Sequence, residues 1–118
     1  TFYAEKGERE KRNSAIQTVL NYLHTRPDDQ AISIQMLAQM VYLTPTYLSN
    51  IFKKQTGMTI GQYLTKIRIE KAMEYMADPK LKLYQIASMV GYEDANYFGK
   101  LFKKQTGMLP SEYREMVS

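Results

Sequence analysis

The heptapeptide Phe-Lys-Lys-Gln-Thr-Gly-Met occurs twice in this chain, as Phe52 to Met58 and as Phe102 to Met108, 50 residues apart. A repeat at that spacing means that one supersecondary unit is present in two copies, which constrains the fold more than any local propensity does. The match extends outward. Tyr47-Leu48 precede the first copy as Tyr97-Phe98 precede the second, and Tyr63 follows the first as Tyr113 follows the second. Further upstream, Leu37-Ala38 matches Ile86-Ala87 once a single extra residue is allowed in the second copy.

Each copy reads as two helices joined by a tight turn. In the first, Ser33 is the expected N-cap, and Ile34, Leu37, Ala38 and Val41 recur at i, i+3, i+4 and i+7, which gives one apolar stripe. Tyr42-Leu43 turn the chain. Thr44 caps the next helix, Pro45 occupies the first helical position where its missing N–H costs nothing, and Gly57 closes it. In the second copy Leu83, Ile86, Ala87 and Val90 form the stripe and the chain turns at Gly91. The next helix starts near Glu93-Asp94, whose charges suit a helix N-terminus, and ends at Gly107.

The flanking segments are helical as well. Ser14 with Gln17 predicts a capping box ahead of a packing helix with Ile16, Val19, Leu20 and Leu23 on one side. Thr59 caps a helix expected to run to about Ala77, before Asp78-Pro79. Its first half is apolar at Ile60, Tyr63, Leu64 and Ile67 and its second at Ile69, Ala72, Met73 and Met76, stripes on nearly opposite sides. One helix thus serves two small cores. Its roughly 18 residues span about 27 Å, against about 34 Å between successive major-groove faces of B-DNA. The expected organisation is all-α with about seven helices: residues 1–12 a linker or the end of a missing upstream domain, 13–58 the first helix-turn-helix subdomain, 59–78 the linker helix, and 79–118 the second subdomain.

The second helix of each copy has two faces. In residues 44–54, Tyr47, Leu48, Ile51 and Phe52 are assigned to the core and Thr46, Ser49, Asn50 and Lys53 to the outside; in residues 94–104, Tyr97, Phe98, Leu101 and Phe102 oppose Asn96, Gly99, Lys100 and Lys103. An α-helix fits the major groove, where amides pair with adenine, lysine with guanine, and hydroxyls with several bases. Asn50, Asn96 and Lys100 are therefore the leading base readers, with Ser49 and Thr46 as supplements. Thr44, Lys53, Lys54, Lys103 and Lys104 are the candidate phosphate contacts. Charge supports the assignment. The net charge is +4, and from Gln30 to Ile69 there is no acidic residue, while Lys53, Lys54, Lys66 and Arg68 fall inside that stretch.

These residues resemble the AraC/XylS family of bacterial transcription regulators. The resemblance runs from about Ser14 to Arg114. It is most specific in RIEKAMEYM, IASMVGY and ANYFGKLFKKQTGMLPSEYR, with Ile86-Ala87, Gly91-Tyr92, Tyr97-Phe98, Phe102-Lys103, Gly107 and Pro110-Ser111 at family spacing. It implies a seven-helix domain whose third and sixth helices enter adjacent major grooves of double-stranded DNA. Base contacts then fall on Thr46, Ser49 and Asn50, and on Ala95, Asn96 and Lys100. Lys82 stands where Ser or Thr is usual, which predicts a frayed start to the helix that follows. The first repeat is most similar to output domains of YesN-type two-component response regulators, which implies an upstream receiver, with a ligand-sensing domain as the alternative. RNA polymerase is the implied protein partner, and dimerisation is expected through the upstream domain.

An enzyme is not expected. The single histidine, His24, is placed at a solvated helix end, and no phosphate loop, metal-ligand cluster or catalytic triad is visible. No cofactor is implied. Cysteine is absent, which excludes disulfides and thiolate zinc sites and fits a reducing cytoplasm. No apolar run approaches the roughly 20 residues of a membrane span. The competing function is a helical protein-protein interaction module built on the same hairpins and rich in Tyr and Met.

Overall fold

The computed structural model describes residues 2–118. Among them the chain forms seven helices and no strand: α1 (Phe2–Thr25), α2 (Ile34–Met40), α3 (Pro45–Thr56), α4 (Ile60–Tyr75), α5 (Leu83–Met89), α6 (Ala95–Thr106) and α7 (Pro110–Val117). They group into two compact units, the first from α1 and residues 31–63, the second from residues 26–30 and 64–118. The division falls inside α4, so the helix expected as a separate linker belongs partly to each.

Helices of 7 to 12 residues such as α2, α3, α5 and α6 are not stable alone and must bury a stripe. In the first unit the buried residues include Ile16, Val19 and Leu23 of α1, Leu37 and Ala38 of α2, and Leu48, Ile51 and Phe52 of α3. Tyr63 sets its ring edge-on to Phe52, centroids 5.6 Å apart, and shares a 2.9 Å hydrogen bond with the exposed His24. In the second unit Ile69 and Ala72 of α4, with Met76 just past its end, pack with Ile86, Ala87, Val90, Tyr92, Phe98 and Phe102.

Caps explain where most helices begin and end. The Ser33 hydroxyl accepts from Met36 N–H at 3.1 Å. Thr59 and Gln62 form a reciprocal box, each side chain accepting from the other's backbone N–H at 3.1 and 3.0 Å. Lysine cannot accept at the start of α5, where Gln85 Oε1 instead accepts from Lys82 N–H at 2.8 Å. Glu112 does the same for Leu109 at 2.9 Å, starting α7.

Two expected boundaries differ. No cap forms at Ser14, because α1 already runs from Phe2 through it, and the Ser14 carbonyl accepts from the Thr18 hydroxyl within the helix. Glu, Lys and Arg before it are good helix formers, and they extend the helix across the local Ser-x-x-Gln signal. At its C-terminus α4 stops at Tyr75, two residues earlier than expected, where Ala77 and Asp78 donate back to Glu74 and Tyr75 and tighten the last turn.

The turn before each second helix is built alike. Leu43 N–H donates to the Ala38 carbonyl at 3.0 Å, and Tyr92 N–H donates to the Ala87 carbonyl at 2.8 Å. Each turn needs one residue at positive φ: Tyr42 at 59° in the first unit and Gly91 at 105° in the second. Only the second copy excludes a side chain sterically. A Cβ on Gly91 would lie 2.9 Å from the Pro27 carbonyl oxygen and 3.0 Å from the Arg68 guanidinium. Arg68 itself donates from Nε to Pro27 O (2.8 Å) and from Nη2 to Asp29 O (2.9 Å), and lies 5.1 Å above the Tyr92 ring. It is thus a bracket holding residues 26–30 to the second unit, and not the member of an exposed basic face that its place in the acid-free stretch suggests. Gly91→Ala should lower stability by about 2 kcal/mol through backbone strain and this contact, read as a lower urea midpoint at unchanged slope.

Candidate nucleic-acid interface

Three positions of the repeated heptapeptide have the same structural role in both copies. Phe52 and Phe102 are fully buried and fasten α3 and α6 to their units. The Thr56 hydroxyl donates to the Phe52 carbonyl (2.8 Å) and accepts from Met58 N–H (3.2 Å); Thr106 repeats this with Phe102 (2.8 Å) and Met108 (3.1 Å). Gly57 and Gly107 then close the helices at φ 80° and 81°, donating to the Lys53 and Lys103 carbonyls at 2.8 Å. The threonine clamps escaped sequence reasoning, although their recurrence in both copies was a signal for them.

At the other end, the Thr44 hydroxyl accepts from Tyr47 N–H at 3.2 Å and Pro45 follows at the first helical position. That bond uses an oxygen lone pair and leaves the hydroxyl proton available to an outside acceptor. Asp94 caps α6, accepting from Asn96 and Tyr97 N–H at 2.8 and 3.3 Å. Its carboxylate is turned onto the helix N-terminus, where the macrodipole favours it.

These anchors fix which sides point outward. On α3, Leu48, Ile51 and Phe52 are buried and Thr46, Ser49, Asn50, Lys53 and Lys54 are exposed; Thr44 is exposed just ahead of them. On α6, Phe98 and Phe102 are buried, Leu101 is half-buried, and Ala95, Asn96, Lys100, Lys103 and Lys104 are exposed. The two tyrosines assigned to the core are not in it. Tyr47 is 37% and Tyr97 54% exposed, because both lie at the edge of a stripe that the smaller buried residues already fill.

The outer faces are cationic and uncompensated. None of Lys53, Lys54, Lys100, Lys103 and Lys104 is paired with a carboxylate among the described residues. From Ala95 to Ser111 the second unit is also free of acidic residues, the counterpart of the longer acid-free stretch around α3. On α6 the candidate residues Ala95, Asn96, Lys100, Lys103 and Lys104 line one open groove with Gly99 and Leu109. Each face therefore offers hydrogen-bonding side chains along the middle of a helix and lysines toward its end, chemistry suited to bases flanked by phosphates. Among the described residues there is no group of His, Asp and Glu that could hold a metal, and no helix long and apolar enough to cross a membrane.

The family described as "Helix-turn-helix domain" matches residues 37–116, from the middle of α2 to the end of α7. The chain is a helix-turn-helix domain of the AraC/XylS type, the DNA-binding type of transcription regulators. The C-terminal domain of the two-component response regulator YesN from Fusobacterium nucleatum is 36% identical and superposes with a TM-score of 0.81 over 86% of this chain and 98% of that one. The C-terminal domain of AraT, a response regulator from Geobacillus stearothermophilus, is 31% identical with a TM-score of 0.83 over 86% and 84%. Among curated relatives, the HTH-type transcriptional activator Btr of Bacillus subtilis is 38% identical over 79% of this chain. The domain spans 17% of that protein's length. The similarity to YesN-type output domains expected from the repeats is thereby met.

Gly99 is the odd residue on the α6 face, since a helix interior disfavours glycine. A Cβ there would meet nothing within 4 Å, so no intramolecular packing demands it. Gly99→Ala should therefore raise the stability of the domain by about 1 kcal/mol in urea unfolding. A loss of stability would mean that the outer face of α6 is not open as described.

Proposed function

We propose that this domain reads a specific double-stranded DNA site for transcription regulation by placing α3 and α6 in adjacent major grooves. Base contacts come from Thr46, Ser49 and Asn50 on α3 and from Ala95, Asn96 and Lys100 on α6. Phosphate contacts come from Thr44, Lys53, Lys54, Lys103 and Lys104. The observation that carries the reading is the duplicated, acid-free outer face on two helices whose inner faces are buried by the same repeated residues. The amides and lysines carry most of the readout, whereas Ala95 offers a methyl group, suited to apolar contact with thymine.

RNA polymerase as a protein partner and dimerisation through a domain preceding this one complete the proposal. The name of the Bacillus subtilis relative, a transcriptional activator, supports the first, and the C-terminal place of the matching domains in the YesN and AraT response regulators supports a preceding domain. Binding, with no catalysis and no cofactor, is the activity assigned, and the cytoplasm the compartment. The exposed faces of α3 and α6 are polar and basic, which favours DNA over the protein-interaction alternative.

Asn50→Ala should change base preference at one position of the site, with a cost of about 1–3 kcal/mol. Lys53→Ala should weaken all DNA sequences alike and reduce the slope of log affinity against log salt by about 1. Binding titrations over a salt series check both. If both variants bind as the parent does, the assigned faces are not the ones that meet DNA.

A further inference from the structure

The side of α1 that packs in the first unit does not end where its apolar residues end. Arg9, Arg12, Asn13 and Ile16 follow at i, i+3, i+4 and i+7, so they share one stripe with the buried Ile16 at its inner end. Toward the N-terminus that stripe turns from apolar to basic. Asn13 Oδ1 accepts from Gln55 Nε2 at 3.0 Å, which ties this part of α1 to the last turn of α3. Beyond that tie, Arg9 and Arg12 line one surface groove with Tyr47, Ile51, Lys54 and Gln55 of α3.

Three cations, Arg9, Arg12 and Lys54, therefore share a groove along the flank of a helix whose outer face carries Asn50 and Lys53. Neither arginine is paired with a carboxylate or hydrogen-bonded among the described residues, although Glu5 and Glu8 stand four positions before them. Lysine 54 lies about 100° around α3 from Lys53, and thus to the side of the reading face, where the phosphate wall of an occupied major groove runs. Guanidinium forks match phosphate oxygens two at a time.

We propose that α1 is itself part of the DNA-binding surface, Arg9 and Arg12 joining Lys54 on the phosphodiester backbone beside the groove that α3 enters. This rests on the DNA-binding reading above and extends its footprint to a helix that the base-reading faces do not include. The clamp carries no sequence information and adds affinity to every site the domain binds.

The test is a salt series of binding titrations on a duplex selected by the 118-residue chain, comparing parent, Arg9→Ala/Arg12→Ala and Arg9→Lys/Arg12→Lys, with Lys53→Ala alongside and thermal melting of each. Loss of both arginines should weaken binding on the order of tenfold at low salt and flatten the log-log slope by about 2. The lysine pair should restore the slope, and the melting temperature and the preferred sequence should stay as in the parent. An unchanged slope, or an altered base preference, overturns the proposal even where affinity falls. If Lys53→Ala weakens binding while the double alanine variant does not, α1 is not on the backbone and the function proposed above stands. If the parent selects and binds no duplex, both fail together.

Discussion

Everything the outer faces of α3 and α6 offer depends on what their inner faces bury. Helices of twelve residues are not stable in water on their own. Phe52 and Phe102, wholly buried, supply the anchor, and Leu48, Ile51 and Phe98 add to it. Burial of one such side chain is worth about 1.5–3 kcal/mol, several times a surface ion pair. With the inner side fixed in this way, the outer side is free to be chosen for a partner, and in both copies it carries lysines, amides and no carboxylate.

Helix ends add orientation to that anchoring. Thr44 and Asp94 fix where α3 and α6 begin; the Thr56 and Thr106 hydroxyls and the left-handed glycines fix where they stop. A bound for each end leaves little freedom for a helix to slide relative to its unit, so the exposed side chains are held in register before any ligand arrives. Pre-positioning of that kind reduces the ordering cost that binding must offset.

Local signals were legible in the sequence and distant ones were not. The caps at Ser33, Thr44 and Thr59 and the closures at Gly57 and Gly107 depend on residues within one turn, and they stand where the residues predict. The repeat made the two units visible together, because a heptapeptide that recurs with its flanking aromatics carries its own confirmation. What failed was competition. Ser14 has the pattern of a cap, but the preceding charged residues extend α1 through it; Tyr47 and Tyr97 fit an apolar stripe, but smaller neighbours occupy the interior. What was invisible was long-range: Arg68 reaches carbonyls 41 and 39 residues away, and nothing near it in the chain distinguishes a structural bracket from a surface cation. Gly91 was legible as a turn, while the reason it must be glycine lies with Pro27 and Arg68.

The central claim is that two helices of one chain read one DNA duplex in successive grooves. Selection of the 118-residue chain against a random duplex pool, sequenced after partition at physiological salt, tests it most directly, because non-specific phosphate binding is suppressed there. The account predicts enrichment of two short boxes with centres about one helical turn apart, roughly 10 base pairs. Enrichment of a single box, or of none, would contradict it.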